Sequence, residues 1–255
     1  YEAYEKLFGN SKDFTFIISG DFDIDALLPL VQKYLGNLCS SSYSFPYSNK
    51  KGDSENLPKG PLFVELPAPE YYRMKNINYG ISFIKKAKDP NDWKEQIKVE
   101  ALAGITTKKA WAIRFEKGYS LYDIGVGGRF NEEMGRYEIS SVFDCVPEES
   151  SQIRQEFKQI ISEIKSGLIS KEEFKEGLRR MYFLYDANKA NQPRVMHQRL
   201  YKHYRYKQPW TDPVELEKYL RTLTVEDIVE TANRYYTQEN LFEFKMKDRE
   251  LKEDF

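Results

Sequence analysis

The chain has 255 residues and a mass of 30.1 kDa, enough for one large core or one and a half ordinary ones, which excludes a peptide-sized or disulfide-stapled scaffold. Its 39 Lys and Arg against 40 Asp and Glu leave a net charge of −1, so there is no broad basic field to attract nucleic acid or an anionic membrane. No apolar run approaches the roughly 18 to 20 residues of a membrane-crossing helix, and no membrane insertion is expected.

Phe14 to Ser19 is a β-branched and aromatic run closed by Gly20-Asp21, which predicts a mostly buried strand. Asp23 then caps a helix with Leu27, Leu28, Val31, Tyr34 and Leu35 at helical spacing, Pro29 inside it and Gly36 as its stop. From Cys39 to Pro61 the composition turns to Ser, Tyr, Asn, Lys, Gly and Pro, longer than an ordinary loop and the best boundary candidate. This predicts an N-terminal piece over 1–40, a linker over 41–60 and a second body over 61–250.

Leu62 to Leu66 reads as a strand, and Ile77, Tyr79, Ile81 and Phe83 alternate with polar or small residues as on a half-buried one. Asp92 to Arg114 favours helix, either one kinked helix or two, because Gly104 and Thr106-Thr107 interrupt it. Tyr119 to Val126 and Arg136 to Phe143 are expected as an antiparallel pair joined by Asn131-Glu132-Glu133. Pro147 opens a helix striped by Ile153, Phe157, Ile160, Ile161 and Ile164. Ser170 with Glu173 signals a capping box for the next, which Pro193 should end near Asn191, with helix resuming over Arg194 to Tyr206. Asp212-Pro213 starts a short helix, Thr224 with Asp227 caps another, and Leu241 to Met246 is a last strand. Strands early and helices late predict an α+β fold: one mainly antiparallel sheet with helices on one face.

The chemistry is sparse. The only histidines, His197 and His203, are six residues apart, roughly 240° around a helix, so one face cannot offer both to an ion. Neither H-E-x-x-H nor H-x-x-E-H occurs, and the two cysteines, Cys39 and Cys145, share no ligand spacing; no metal or cofactor site is expected. There is no G-x-S-x-G elbow for a serine nucleophile. Gly125-Val126-Gly127-Gly128 is followed by Arg129-Phe130 instead of a helix, so it reads as a strand end or bulge, not a phosphate loop.

What remains is Arg114 to Tyr122, a helix end running through Gly118. An arginine fork and a neutral tyrosine hydroxyl together can hold a carbonyl oxygen or a developing oxyanion. An arginine at a helix C-terminus also has a plainer use, complementing the helix dipole.

Asp13 to Asp23 with the helix Leu28 to Leu38, whose end reads Lys33-Tyr34-Leu35-Gly36-Asn37-Leu38, resembles a block of the pitrilysin and insulysin family of zinc peptidases. Ile113 to Gly128, Ser166 to Phe174 and Leu220 to Ile228 follow in that family's order, nearest to the long bacterial zinc proteases built of four related modules. The resemblance implies modules of antiparallel sheet with helices on one side, residues 1–40 being the tail of the preceding module and 61–250 the last one.

It implies that zinc and H-x-x-E-H belong to an N-terminal module of a longer parent, the partner of this chain, and that this module faces the zinc across a peptide-filled chamber without catalysing alone. Arg114 matches the family's substrate-contacting arginine. The tyrosine is expected seven residues on, where Leu121 stands; Tyr122 fits with a one-residue insertion, and Tyr119 is the alternative. A module serving only as scaffold or peptide holder is the alternative function. The bacterial relatives suggest a periplasmic or envelope location, and Phe14 to Ser19 is expected either to join the main sheet or to pair two copies into a homodimer.

Overall fold

The computed structural model describes residues 2, 4, 8–38, 57–69 and 76–247. Its elements, in chain order, are α1 (Ile24–Tyr34), β1 (Leu62–Leu66), β2 (Ile77–Lys86), α2 (Trp93–Phe115), β3 (Gly127–Asn131), β4 (Arg136–Cys145), α3 (Ser150–Lys165), α4 (Lys171–Leu184), α5 (Pro193–Tyr206), α6 (Pro213–Thr222), α7 (Val225–Tyr235) and β5 (Leu241–Met246). They fall into two compact units, Tyr1–Lys50 with Ala187–Asp212, and Lys51–Asp186 with Pro213–Phe255. Residues 187–212, read from sequence as part of the 61–250 body, thus group with the N-terminal segment. Residues 41–56 of the expected linker lie outside the described residues.

In the first unit the Asp23 carboxylate accepts the N–H groups of Asp25 (2.8 Å) and Ala26 (3.1 Å), capping α1 as its sequence predicts. The expected strand at Phe14 to Ser19 does not form. The segment is extended, but a strand needs a neighbour to exchange ladder bonds, and among the described residues none pairs with it. It reaches α5 through one bond, Ser19 Oγ donating to the Pro193 carbonyl at 3.1 Å. On α5 and the chain after it, Arg199 stacks 4.2 Å from the Trp210 ring centre and donates to the Thr211 carbonyl, while His203 Nδ1 lies 2.8 Å from the Gln208 carbonyl.

The second unit is a five-stranded sheet in the order β1-β5-β2-β4-β3, antiparallel except for the β1–β5 pair, with helices on one face. Ile77, Tyr79, Ile81 and Phe83 of β2 and Tyr137, Ile139 and Phe143 of β4 point to the helices, as period-2 alternation requires. Both capping boxes form, at Ser170–Glu173 and Thr224–Asp227. Helix α4 ends at Leu184, seven residues before the stop expected from Pro193, because Tyr185 already leaves helical geometry; Pro193 instead starts α5.

Helix α2 is one unbroken helix of 23 residues. Its middle carries Gly104 because α4 crosses there on Gly177: a Cβ on Gly104 would stand 2.3 Å from the Gly177 carbonyl oxygen, and one on Gly177 2.7 Å from Ile105 Cα. Thr106 and Thr107 do not break the helix because their hydroxyls turn back to the Leu102 (2.7 Å) and Ala103 (3.0 Å) carbonyls. At its other end Glu95, 7% exposed, accepts from Arg234 (2.6 Å), Tyr235 (2.9 Å) and Lys98 (3.0 Å), tying α2 to α7. Burial pushes the Glu95 carboxyl up, but these bonds outweigh it and hold it below the ordinary value of 4.5.

Two outcomes follow from this packing. Gly177→Ala forces its methyl against the Ile105 backbone and should lower stability by about 2–3 kcal/mol, seen as a lower urea midpoint with the slope unchanged. Because the folded Glu95 carboxyl is depressed, its contribution is present above the ordinary value and is lost as pH falls through the folded one. Stability of wild type should therefore drop as pH falls below 4.5, and Glu95→Gln should be less stable at neutral pH with a shallower acid slope in denaturation measured across that range.

Candidate functional site

Arg114 sits in the last turn of α2, and Gly118, with φ +76°, reverses the chain immediately after it. The strand expected over Tyr119 to Val126 is instead an irregular loop; β3 begins at Gly127, and the antiparallel hairpin runs from there to β4. Ladder pairing fails here because the inward residues, Leu121 and Ile124, are three apart instead of two, and because side chains take the backbone donors. Ser120 N–H donates to Glu149 (2.8 Å), Tyr122 N–H to Asp144 Oδ1 (3.3 Å) and Val126 N–H to Thr107 Oγ1 (2.8 Å). Leu121 makes a single bridge to Cys145.

The loop brings Arg114 and Tyr122 together. The guanidinium donates to the Tyr122 backbone carbonyl and lies 5.3 Å from the Phe115 ring centre. The Tyr122 ring is 80% exposed, so its hydroxyl is not used inside this unit's core. Tyr119 is different: its ring packs on the core as a half-buried residue. Of the expected trio, Arg114 and Tyr122 are neighbours at the surface and Tyr119 is a packing residue.

Gly128 shows why the glycine run is there. A Cβ on it would stand 2.6 Å from the Val99 carbonyl and 2.7 Å from Ala103 Cβ, so the start of β3 lies against α2 only because the side chain is missing.

Sequence reasoning missed two features. Asp144 anchors the loop from the far side, its second oxygen accepting from Asn76 at 3.0 Å, a contact 68 residues apart in sequence. A groove of about 540 Å³ runs along the last turns of α2, beside α3 and the start of α4, with Trp111 and Phe115 on its wall. Within it Lys109 is clamped by Glu173 (2.9 Å) and Glu163 (3.1 Å). Burial lowers this lysine, and the two carboxylates outweigh burial and raise it.

Among the described residues no three His, Cys, Asp or Glu gather as a metal site. The Cys145 thiol is buried and pushed up to about 11 by that burial, which keeps it from serving as a thiolate.

The second unit is thus an α+β module, a mainly antiparallel sheet with helices packed on one face. A family model described as the peptidase M16 inactive domain matches residues 1–181, and the chain belongs to that family. No curated protein matches it. Among solved structures it is similar to the periplasmic protease PqqL from Escherichia coli (TM-score 0.67, 16% identity, 97% of this chain and 27% of that one). It is also similar to the ferredoxin protease FusC, solved as a variant with Arabidopsis ferredoxin (TM-score 0.63, 18% identity, 91% and 24%), and to a protease from Helicobacter pylori (TM-score 0.65, 13% identity, 90% and 54%). The chain spans about a quarter of the length of PqqL and FusC.

If Asp144 holds the loop, Asp144→Ala should speed hydrogen exchange at the Tyr122 amide by about tenfold or more while the β2 and β5 amides keep their protection. Equal exchange at Tyr122 in both proteins would show that the 3.3 Å contact carries no constraint.

Proposed function

We propose that this chain is the non-catalytic C-terminal part of a zinc metalloendopeptidase, where it closes the substrate chamber and touches the peptide backbone. Residues 1–40 are then the tail of the preceding module, 41–60 the linker and 61–250 the last module, which lends its 187–212 segment to the compact unit of that tail. Its partners are the N-terminal catalytic modules of the same polypeptide, which carry H-x-x-E-H and zinc, and a peptide substrate. The periplasmic setting of PqqL supports a periplasmic or envelope location.

One observation carries this reading: Arg114 and the exposed Tyr122 are neighbours at the end of a helix that both the sheet and the helix layer hold. A guanidinium has five N–H donors, and bonding the Tyr122 carbonyl leaves others for an incoming peptide carbonyl. The Tyr122 hydroxyl, on an exposed side chain, adds a neutral donor from the same loop. These two groups orient substrate and share developing negative charge; the bond-breaking step lies with the other module.

The scaffold reading also has an observation in its favour. Arg114 spends a hydrogen bond within its own loop, as a purely structural residue would.

Tyr122→Phe in the full-length parent separates the two, because it removes the hydroxyl and leaves the backbone carbonyl that Arg114 binds. A loss of about tenfold or more in kcat/KM with unchanged thermal melting is the expected result, and Arg114→Ala should lose at least as much. Full kcat/KM in both variants would leave the scaffold.

A further inference from the structure

Strand β1 is the edge of the sheet, and among the described residues nothing pairs with its outer side. All five of its residues are exposed. Natural edges are usually blunted by charged residues, proline, a bulge or a cover; within Leu62-Phe63-Val64-Glu65-Leu66 only Glu65 is of that kind, and Pro61 and Pro67 stand just outside its ends.

The backbone phase of this edge is known. The Leu66 carbonyl accepts the Lys247 N–H at 2.7 Å on the β5 side. By alternation Leu62, Val64 and Leu66 address β5, while Phe63 and Glu65 turn their N–H and C=O outward. Side chains alternate too: Leu62 and Val64 stand beside Phe242 and Phe244 on the helix-free face, and Phe63 stands beside Glu243 on the helix face.

On that helix face the charges are unbalanced. Glu243, 5% exposed, is shared by Arg154 and Lys158, the latter at 3.6 Å, so two cations meet one carboxylate. Arg154 also lies 5.9 Å from the Phe63 ring centre, and both cations are partly open to solvent. A strand added beside β1 would be complemented by an acidic residue opposite Phe63.

β1 itself meets that requirement. Outward-facing residues must pair with outward-facing residues, which leaves three antiparallel registers for two copies of this edge. Opposing Glu65 with Glu65 juxtaposes like charges, and opposing Phe63 with Phe63 leaves Glu65 without a cross-strand neighbour. Centring on Val64 uses all five residues: Leu62 faces Leu66, and Phe63 faces the partner's Glu65, whose carboxylate then lies on the side of Arg154 and Lys158.

We propose that two copies of this chain pair antiparallel through β1 in that register, joining their sheets into one of ten strands. The preformed edge makes β1, not Phe14 to Ser19, the dimerisation element. The proposal is independent of the function assigned to Arg114.

Sedimentation velocity on the 255-residue chain from about 1 to about 100 μM should show a concentration-dependent dimer. Glu65→Gln should weaken it by about tenfold or more with unchanged melting, since it removes the charge without setting a second cation opposite Lys245, and Glu65→Lys should weaken it further until Lys158→Glu is added. Phe16→Asp should leave the dimer intact. A monomer throughout the range, a dimer indifferent to Glu65→Gln, or a dimer abolished by Phe16→Asp would each overturn the proposal.

Discussion

The packing of the second unit depends on one steric constraint: α2 is enclosed on several sides and must be thin wherever another element crosses it. Gly128 of β3 presses on Val99 and Ala103 from the sheet, and Gly177 of α4 presses on Gly104 and Ile105 from the helix layer. Buried alanines at 101, 103 and 110 continue the pattern. A larger residue at either crossing would lift a layer off the helix and expose the isoleucines behind it, and cores tolerate such overpacking poorly.

Electrostatics closes what sterics leaves open. Three buried carboxylates, Glu95, Glu138 and Glu243, each sit among at least two cations, and each ties together elements that apolar contact alone does not register. Glu95 joins α2 to α7 and Glu243 joins β5 to α3, while Glu138 collects Arg129, Arg136 and Asn131 at the end of the β3–β4 hairpin. A carboxylate buried with one partner missing would be costly, so these clamps specify which surfaces meet.

Arg114 belongs to the same construction. Because α2 is held on several sides, its C-terminal turn is a firm platform, and the loop after Gly118 is held to it by Arg114, Thr107 and Asp144. A site placed there inherits the rigidity of the core without forming part of it. That rigidity suits the peptide-orienting role proposed for Arg114 and Tyr122.

Local rules were enough to read the caps at Asp23, Ser170 and Thr224, the stripe of α3, the alternation of β2 and β4 and hence the α+β class, because each is written in residues a few positions apart. Family resemblance, not spacing, pointed to Arg114. Tertiary structure decided the rest. Phe14 to Ser19 has strand composition but no neighbour; 119–126 has it too but gives its donors to side chains brought from 107, 144 and 149. The interruption read at Gly104 proved to be a helix crossing, visible only with Gly177 in place. The amino-acid sequence by itself determined which segments curl or extend. Whether an extended segment becomes a strand, and whether a tyrosine ends in the core like Tyr119 or in solvent like Tyr122, rests on partners distant in the chain, because ladder bonds and burial are properties of pairs of segments.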